Sequence, residues 1–491
     1  MKKTALLMAC LLACGLHLSA QRIVTVAPGV GTLNDAIDGD TTAAGARTDL
    51  NTIYELESGG VYKLTRSIEN LGKGSDTSPY PLHIRAAAGA TVKPFLQPTV
   101  PSGGSSARTF MISANLTVEG LHITNQDDLG ALLDRVFQVN ADDVRLIVRD
   151  CFVEKCVQTC VRNNGANPKM YFYNTTVNAM GRPQSMDNGR FIDPRDSDID
   201  TVWVENCVIY NVASRFFRNG GGVYEYINID QSTFVNSGQR AFNFGDVKEL
   251  HFTNNIIMNG AFLGREADGG RAIFELEELA APDTPIVRIA HNNYFISADM
   301  QTEYDNDPLR VGPLFMDSLT NRFNPPALTS TNFVEVIDFN NGLASIVPIF
   351  TEFVLNGYNG SSINADWDNS GAPHSFVYTV ANGPMSVVGG TTGQPVGAGM
   401  ATTAIERTTW LDAGLRIFPN PAHDLLYVEN LRGQRWNQVQ VVDMQGRALH
   451  TQVVGMGVTS IELSRLPAGV YLLVAMDEAA SRRTTTRFIK Y

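Results

Sequence analysis

Short runs of alternating apolar and polar residues recur along much of the chain. The segment VENCVIYNV, 204–212, contains two such runs around a central asparagine and cysteine. Alternation with a period of two places one set of side chains in a core and the other set outside it, as in a β-strand. No stretch between the runs has helix-length amphipathic periodicity, so the pattern predicts strands joined by turns rather than strand–helix–strand units.

This pattern repeats with an irregular period. The segments that match VENCVIYNV begin at an apolar residue, and these first residues are Val118, Val148, Phe172, Val204, Ile229, Phe252 and Ile289. Successive members are 30, 24, 32, 25, 23 and 37 residues apart, so the shortest intervals define the unit and the longer ones carry inserted loops. Units of this length are typical of a parallel β-helix, in which each coil stacks on the previous one at a strand spacing of about 4.8 Å.

One slot of the unit repeats asparagine. Four units place an amide there, in Asn125, Asn211, Asn236 and Asn259. Lys155 and Ala179 take the slot in two other units. We expect an interrupted asparagine ladder at a tight corner, where side-chain amides satisfy backbone groups.

The last part of the chain, 415–491, has a different pattern. Alternating strands are separated by turn signals such as Asn420-Pro421 and Gln445-Gly446. This spacing predicts a small β-sandwich. We therefore expect an all-β protein, with a parallel β-helix over 22–400 that is looped in its terminal coils, a linker over 401–414 and a C-terminal sandwich over 415–491.

The first twenty residues have the pattern of a secretory signal peptide. Lys2 and Lys3 precede an apolar run, 4–16, that is too short to cross a bilayer, and the segment ends in the small residue Ala20. An alternative is a lipobox, which would place a lipid on Cys14. No later segment is long and apolar enough for a membrane helix, so we expect export.

Charge narrows the class of ligand. The chain has 50 acidic residues against 38 Lys and Arg, a formal net charge of −12. General nucleic-acid binding needs a basic face, so we expect no nucleic-acid partner. A local basic patch for an anionic ligand remains compatible with this balance, and we expect a monomer.

Four cysteines follow the predicted signal peptide. Cys151 and Cys207 share a slot two coils apart, which is about 9.6 Å and beyond the reach of a disulfide. We expect both to be buried free thiols. Cys156 and Cys160 flank a bend, and the sequence leaves their pairing open.

Arginines supply the candidate basic patch. Arg215 and Arg240 are 25 residues apart, which is one unit, so they are expected to stack in one column. The same argument places Arg182 near that slot one coil earlier, and puts Arg162 and Arg218 in another slot two coils apart. Guanidinium groups bind carboxylates and sulfates through two parallel hydrogen bonds, which favours an acidic polysaccharide as the ligand.

The segment DNGRFIDPRDSDID, 187–200, carries both signs of charge. It contains Arg190 and Arg195, which we expect to lie in an inserted loop, together with five aspartates. One interpretation is that these aspartates form ion pairs with the arginines and stiffen the loop. The other is a calcium site, because hard oxygen ligands at close spacing suit that ion; its ligands would be Asp193, Asp196, Asp198 and Asp200.

The N-terminal motif VAPGVGTLNDAI, 26–37, followed by YELESGGVYKL, resembles the start of the pectin lyase-like family of right-handed β-helices. The segment 375–398 is similar to the final coil of such proteins. The resemblance implies a right-handed helix and, in the lyases of the family, removal of a proton beside a uronate carboxylate. That chemistry needs a cation, either calcium or arginine, and a basic side chain. We assign these catalytic roles to Arg215 and Arg240, and substrate binding to Arg182, Arg190, Arg195 and Arg218.

The tail resembles the type A sorting domain of the type IX secretion system. Its motifs are PNPA with Asp424, Asp443 with GR at 446–447, LPAGVY at 466–471 and the terminal FIK. The resemblance implies export across the outer membrane, contact of residues 415–491 with the secretion machinery, and attachment to surface lipopolysaccharide or release. The alternative is an ordinary carbohydrate-binding sandwich.

Together these observations predict a secreted or outer-surface β-helix protein that binds acidic polysaccharide, and they leave open whether it also degrades the polymer as a lyase. The alternative is a non-catalytic adhesin or glycan-binding structural protein that uses the same elongated face.

Overall fold

The computed structural model describes residues 21–99, 108–181, 188–218, 220–266, 270–277, 284–308, 310–337, 390–391, 396–398, 415–418, 422, 424–430, 436–443, 447–454, 457–477 and 482–490. The predicted signal peptide, Arg182, the linker 401–414 and the turns at 420–421 and 445–446 lie outside the described residues. The chain divides into two compact units, Met1–Ala401 and Thr402–Tyr491.

The first unit is a right-handed parallel β-helix, as predicted, with three long sheets that run along it. Each coil after the first contributes one strand to each sheet, and the first contributes to sheets 1 and 2 only. The alternating pattern buries one face of most strands. Sheet 1 contains, in order, Arg22–Val26, Thr52–Leu56, Leu82–Ala86, Leu116–Glu119, Arg145–Arg149, Lys169–Tyr173, Ile199–Glu205, Tyr224–Asp230, Glu249–Thr253 and Ile286–Ala290.

Sheets 2 and 3 complete the coils. Sheet 2 contains Gly29–Val30, Val61–Leu64, Phe95–Pro98, His122–Thr124, Phe152–Cys156, Thr176–Met180, Val208–Val212, Thr233–Ser237, Ile256–Met258 and Asn293–Phe295. Sheet 3 contains Ile68–Glu69, Arg108–Ile112, Arg135–Val139, Thr159–Asn163, Arg190–Asp193, Arg215–Phe217, Phe242–Gly245, Ala272–Leu276 and Leu314–Met316. Arg265–Glu266 and Arg310–Val311 form a short antiparallel pair beside them.

The register of sheet 1 matches the repeat read from the sequence. Val118 pairs with Val148, and Val148 pairs with Phe172. The same alignment continues through the remaining first residues of the repeat, Val204, Ile229, Phe252 and Ile289. All of these side chains are buried in one continuous core, so the irregular intervals of the sequence are coils that differ only in their loops.

The residues that the structure describes include four helices. Helix α1, Thr32–Gly39, packs Leu33 and Ile37 onto the first coil. Helix α2, Ala298–Asn306, follows the last sheet 2 strand and begins at Ser297, whose hydroxyl accepts from Met300 N. Helices α3, Ser318–Phe323, and α4, Pro326–Thr329, come next. No helix among the described residues has both the length and the apolar content to span a membrane.

The end of the predicted β-helix region is described only in pieces. Of the segment 375–398, which was expected to form the final coil, residues 390–391 and 396–398 are described. Thr391 N donates to Asn254 Oδ1 (2.7 Å), and Ala398 N donates to Thr233 Oγ1 (2.9 Å). These residues therefore lie against earlier coils rather than after the last one.

An asparagine ladder occupies the corner after sheet 2. Asn211 donates to Asn178, Asn236 donates to Asn211, and Asn259 donates to Asn236, with amide N–O distances of 3.3, 3.1 and 3.1 Å. The backbone is left-handed, with φ between 51° and 66°, at five positions of this corner: Lys155, Ala179, Asn211, Asn236 and Asn259. Asn125 is an exception to the prediction, because its amide instead donates to the Leu133 carbonyl (2.9 Å).

The four cysteines that follow the predicted signal peptide are buried free thiols. Cys151 and Cys207 are separated in their column by Thr175, whose hydroxyl accepts from Cys151 N (3.3 Å). Burial raises the pKa of both thiols to about 12. Cys156 and Cys160 also remain unpaired, so these sulfurs fill the core and lack the thiolate character of a nucleophile.

The second unit contains two antiparallel sheets. One is formed by Leu415–Phe418, Leu425–Asn430 and Gly457–Glu462, and the other by Ala448–Val453, Gln438–Val442, Gly469–Asp477 and Arg482–Lys490. Leu426 and Ile461 of the first sheet share a buried cluster with Val439 and Leu473 of the second. This is the predicted small sandwich.

Candidate functional site

Four of the nine strands described in sheet 3 begin with arginine, and Arg240 lies two residues before the start of a fifth. Arg108 pairs with Arg135, and Arg190 pairs with Arg215. The pairing of Phe217 with Phe242 places Arg240 beside Arg215, as the 25-residue interval predicted. Six successive coils therefore hold, in one line, Arg108, Arg135, Thr159, Arg190, Arg215 and Arg240; we call this line the arginine column.

A stack of core residues fixes this column. Two residues beyond each member of the column the chain places a buried apolar side chain, and these are Phe110, Phe137, Val161, Ile192, Phe217 and Phe242. The rings of Phe110 and Phe137 stack at 5.1 Å between centroids, and those of Phe217 and Phe242 at 6.0 Å. Such pairs contribute roughly 0.5–1.5 kcal/mol beyond the area they bury. The core thus holds the arginines in register.

Neutral amides face two members of the column. Arg135 Nη2 donates to Gln158 Oε1 (2.8 Å), and Arg215 Nη2 donates to Gln239 Oε1 (3.3 Å). Burial lowers the pKa of Arg135, and the positive charges of Arg108 and Arg195 lower it further. The negative charge of Asp134 acts in the opposite direction. Like charges directly opposite on neighbouring strands destabilise a sheet. The amide oxygens satisfy donors without neutralising that charge.

A buried carboxylate, Asp193, lies beside the column. Its Oδ2 is 2.8 Å from Arg190 Nη1 and 3.0 Å from Arg162 Nε, and its Oδ1 is 3.1 Å from Arg218 Nη1. Asp193 is fully buried. Burial alone would raise its pKa, but the three guanidinium groups outweigh burial and hold the pKa below the usual aspartate value. Arg162 and Arg218 share a slot two coils apart, as expected, and Asp193 fills the coil between them.

Two of the predicted binding residues differ in setting. Arg190 begins a strand of sheet 3 rather than lying in an inserted loop, and it is almost fully buried. Arg195 follows in a turn with φ of 54°, and its side chain is exposed. The structure therefore ties Arg190, Arg162 and Arg218 to Asp193, and leaves Arg195, Arg215 and Arg240 at or near the surface.

The aspartates proposed for calcium do not converge. Asp198 Oδ1 accepts from Val223 N (2.8 Å), Asp200 accepts from the Thr201 hydroxyl (2.6 Å), and Asp193 is surrounded by arginines. Asp196 is exposed. Among the described residues no group of three or more His, Cys, Asp and Glu side chains is placed to hold a metal. The ligand set Asp193, Asp196, Asp198 and Asp200 is therefore corrected, because the first of them serves the arginines.

Glu275 is a site residue that the sequence did not indicate. Its Oε2 is 3.0 Å from Arg240 Nε, and its Oε1 accepts from Ala272 N (3.2 Å). Burial raises the pKa of Glu275, although the Ala272 amide and Arg240 oppose that rise. Glu275 pairs with Asn243, which is 32 residues earlier, so a long inserted segment separates it from the preceding coil and hides its position from interval counting.

Arg108 and Arg135 were also missed. They lie 27 residues apart, and Arg135 lies 24 before Thr159, so their intervals do fall within the range of the repeat. The repeat was aligned on the strands of sheet 1 only. Carrying the same offsets into sheet 3 would have found both arginines.

Glycines after Arg218 pack coil on coil. A Cβ on Gly220 would lie 1.3 Å from the Arg195 carbonyl oxygen, and one on Gly222 would lie 2.2 Å from the Ser197 carbonyl oxygen. These positions admit no side chain because the neighbouring backbone already fills the space. These glycines therefore let the backbone at 220 and 222 pack directly against the backbone at 195 and 197.

The motifs of the sandwich occupy its turns and strand ends. Asp443 accepts from the backbone N of Arg447 (2.9 Å) and from its Nε (2.7 Å). Tyr471 donates to the Pro467 carbonyl (2.7 Å). Lys490 pairs with Gly469 and its ammonium group is 3.9 Å from Asp424. The motif residues thus shape the turns at which the strands meet.

Comparison with known proteins bears on the tail. Residues 416–490 match the model of the family described as "Secretion system C-terminal sorting domain". No curated protein matches the chain. A solved structure, described as PorZ, an essential bacterial surface component of the type-IX secretion system of Porphyromonas gingivalis, is 22% identical over 20% of this chain. This chain spans 13% of the length of that protein, with a TM-score of 0.14, so the likeness bears on neither fold nor function.

The pectin lyase-like identity of the β-helix stays a prediction. The tail is a type IX secretion sorting domain: it engages the type IX machinery, and the protein is exported and then attached at the outer cell surface or secreted.

Proposed function

We propose that this protein is a monomeric surface or secreted β-helix that binds acidic polysaccharide through the arginine column. The observation that carries the proposal is the line of five arginines within six successive coils of sheet 3, in a chain whose net charge is −12.

Such a column costs folding stability. Stacked like charges work against folding, and sequences depart from local stability rules chiefly at functional sites. A guanidinium group presents a planar fork of donors that matches a carboxylate or sulfate. A bound polyanion would neutralise the column, and the fold would supply the positions in advance.

The site lies on a protein that is exported. Arg215 and Arg240, which we assigned to catalysis, and Arg195 and Arg218, which we assigned to substrate binding, are at least partly exposed. Arg190 is buried and shares the Asp193 carboxylate with Arg218. Arg182 lies outside the described residues and stays a prediction.

A second candidate function is β-elimination, which the position of Glu275 favours. Its pKa is raised by burial, and it contacts Arg240 next to Arg215. Carboxyl groups with raised pKa suit proton transfer, and arginine suits neutralisation of a uronate carboxylate. The Glu275 carboxylate would take the proton beside that group. The released electron pair would form the carbon–carbon double bond, the glycosidic carbon–oxygen bond would break, and water would protonate the leaving oxygen.

The test uses a panel of pectate, alginate and glycosaminoglycans with the full chain. We expect binding to at least one polymer, and loss of that binding in Arg215→Ala and Arg240→Ala. Arg288→Ala, an exposed arginine of sheet 1, is the matched control and should bind normally. Ultraviolet absorbance of unsaturated uronates reports elimination; binding without that product would leave a non-catalytic glycan binder. Unchanged binding in both column variants would overturn the proposed site.

A further inference from the structure

We propose that the side chains of Lys155 and Gln126 join in an amide cross-link between two neighbouring coils, with the Glu154 carboxylate as proton carrier. The reaction exchanges one amide for another, so it needs no oxidant. It is independent of the polysaccharide site, because Gln126 and Lys155 belong to the sheet 2 side of their coils and not to the arginine column.

Lys155 stands in the corner slot that carries the ladder asparagines in later coils. Its backbone is left-handed, with φ of 61°, which is uncommon for a lysine. Its side chain is only 11% exposed, whereas lysine ammonium groups usually remain in water. A strained backbone and a buried charge both cost stability, and such costs concentrate at functional sites.

The primary amide of Gln126 lies against this amine. Gln126 Oε1 is 3.4 Å from Lys155 Nζ, and Gln126 Nε2 donates to the Gly130 carbonyl (3.0 Å). The bond to Gly130 fixes which end of the amide faces the lysine. Groups held side by side in this way react at a high effective concentration. Gly130 is exposed, so ammonia released from Nε2 has a path to solvent.

Glu154 supplies the base. Its side chain is 3% exposed, and its Oε2 has no hydrogen-bond partner among the described residues. This oxygen is 4.0 Å from Lys155 Nζ, which is beyond hydrogen-bonding distance. Buried polar atoms are nearly always hydrogen-bonded, so an open carboxylate oxygen beside an amine is suited to take up a proton.

His122 is a positioning residue for Glu154. Its Nε2 is 2.8 Å from Glu154 Oε1, and its ring lies between Phe95 and Phe152, with 4.6 Å between ring centroids on both sides. The aromatic stack fixes the imidazole, and the imidazole fixes one carboxylate oxygen. The other oxygen is thereby left on the side of Lys155.

The reaction balances within these groups. Glu154 takes one proton from the Lys155 ammonium group, and the neutral amine attacks the carbonyl carbon of Gln126. A new carbon–nitrogen bond forms, and Glu154 passes its proton to Gln126 Nε2 as the old carbon–nitrogen bond breaks. Glu154 also takes a second proton from the attacking nitrogen. The departing ammonia accepts that proton and leaves as ammonium, which regenerates the carboxylate.

The product is a covalent brace for an exported chain. It joins residues that are 29 apart in sequence, at the corner where Asn125 does not continue the asparagine ladder. The four cysteines after the predicted signal peptide are free thiols. The amide would therefore supply the constraint on the unfolded chain that disulfides supply in many exported proteins.

The experiment is peptide mapping of the denatured full chain by trypsin digestion and mass spectrometry. Unmodified protein gives the peptides 109–135, which contains Gln126, and 150–155, which ends at Lys155. Because trypsin does not cleave after a modified lysine, we expect 109–135 joined to 150–162, lighter than the two peptides together by one ammonia. Wild-type protein that gives only the separate peptides would overturn the proposal, whatever the variants do.

Variants test the role of each group. Lys155→Arg and Glu154→Gln should give only separate peptides, with the circular dichroism of wild type as the check on folding. Lys63→Arg, which alters an exposed lysine paired with Asp128, is the matched control and should retain the joined species. A joined species in Glu154→Gln would overturn the assignment of the proton carrier.

A last pair of variants tests His122. The joined fraction should fall in His122→Phe and return in His122→Gln, which can still donate to Glu154. A fraction that is unchanged in His122→Phe would overturn the positioning role.

Discussion

Two columns of like side chains run along this β-helix, and their chemistry differs. In the asparagine ladder each amide donates to the one before it, as Asn236 does to Asn211 at 3.1 Å. In the arginine column every guanidinium is a donor and none is an acceptor. The asparagine ladder supplies both the donors and the acceptors of its hydrogen bonds, whereas the donors of the arginine column need acceptors from outside the column.

The comparison shows how one repeat serves two purposes. Stacking at the strand spacing brings identical residues together whatever their chemistry. Neutral amides turn that proximity into hydrogen bonds that hold a left-handed corner. Stacked guanidinium groups instead repel one another. Asp193 relieves this repulsion in the middle of the column, and at the partly exposed arginines the repulsion favours binding of an anionic ligand.

Removal of the carboxylate beside the column should have the largest effect. Asp193→Asn leaves Arg162 and Arg190 buried without their counter-charge, and breaking a buried ion pair in this way costs about 3–5 kcal/mol. We expect that loss in the free energy of unfolding, measured with denaturant. Asp196→Asn, three residues away and exposed, should change it by less than about 0.5 kcal/mol. Equal effects of the two variants would show that Asp193 does not hold the network.

A break in the neutral ladder should cost less. Asn236→Ala removes two buried hydrogen bonds and places alanine at a φ of 66°, which together cost about 3 kcal/mol of unfolding free energy. Asn236→Gly loses the same bonds without the backbone strain, so it should recover about 1 kcal/mol of that loss. If the two variants were equally stable, the left-handed corner would contribute nothing.

The two carboxylates of the site should respond to pH with opposite signs. The pKa of Asp193 is lowered by its arginines, so its stabilisation is present at neutral pH and is lost as pH falls through its native pKa. The pKa of Glu275 is raised by burial, so its ionisation costs stability as pH rises through its native pKa. The unfolding free energies of wild type and Asp193→Asn should therefore converge toward acid pH. Those of wild type and Glu275→Gln should diverge toward alkaline pH, with the variant becoming the more stable.

The smallest effect concerns competition for Arg240. Glu275→Gln removes the carboxylate that pairs with Arg240, so the affinity for an acidic polysaccharide should rise a few-fold. The same substitution in an Arg240→Gln background should leave the affinity unchanged. A rise in both backgrounds would mean that Glu275 acts on the ligand through general repulsion rather than through Arg240.

Most of the strand pairing in the β-helix could be predicted from the sequence because the buried residues recur at regular positions in each coil. Val118, Val148 and the later first residues of the units pair as their intervals predicted, and so do Arg215 and Arg240. Exceptions arise where loops or bulges interrupt the repeat. Asn125 precedes an inserted loop and donates to Leu133 within it, and Glu275 is separated from its partner Asn243 by a long inserted segment. The role of Asp193 required knowing which side chains surround it, and intervals carry no such information.

The central claim is that the arginine column exists for a ligand and not for the fold. Arg215→Gln tests this most directly, with unfolding free energy and affinity for an acidic polysaccharide measured on the same preparation. We predict that stability is unchanged or rises by about 0.5 kcal/mol, because one of three stacked charges is removed. The affinity should fall by at least about tenfold, because a charge-assisted contact is lost. A variant that loses stability yet binds as tightly as wild type would contradict the account.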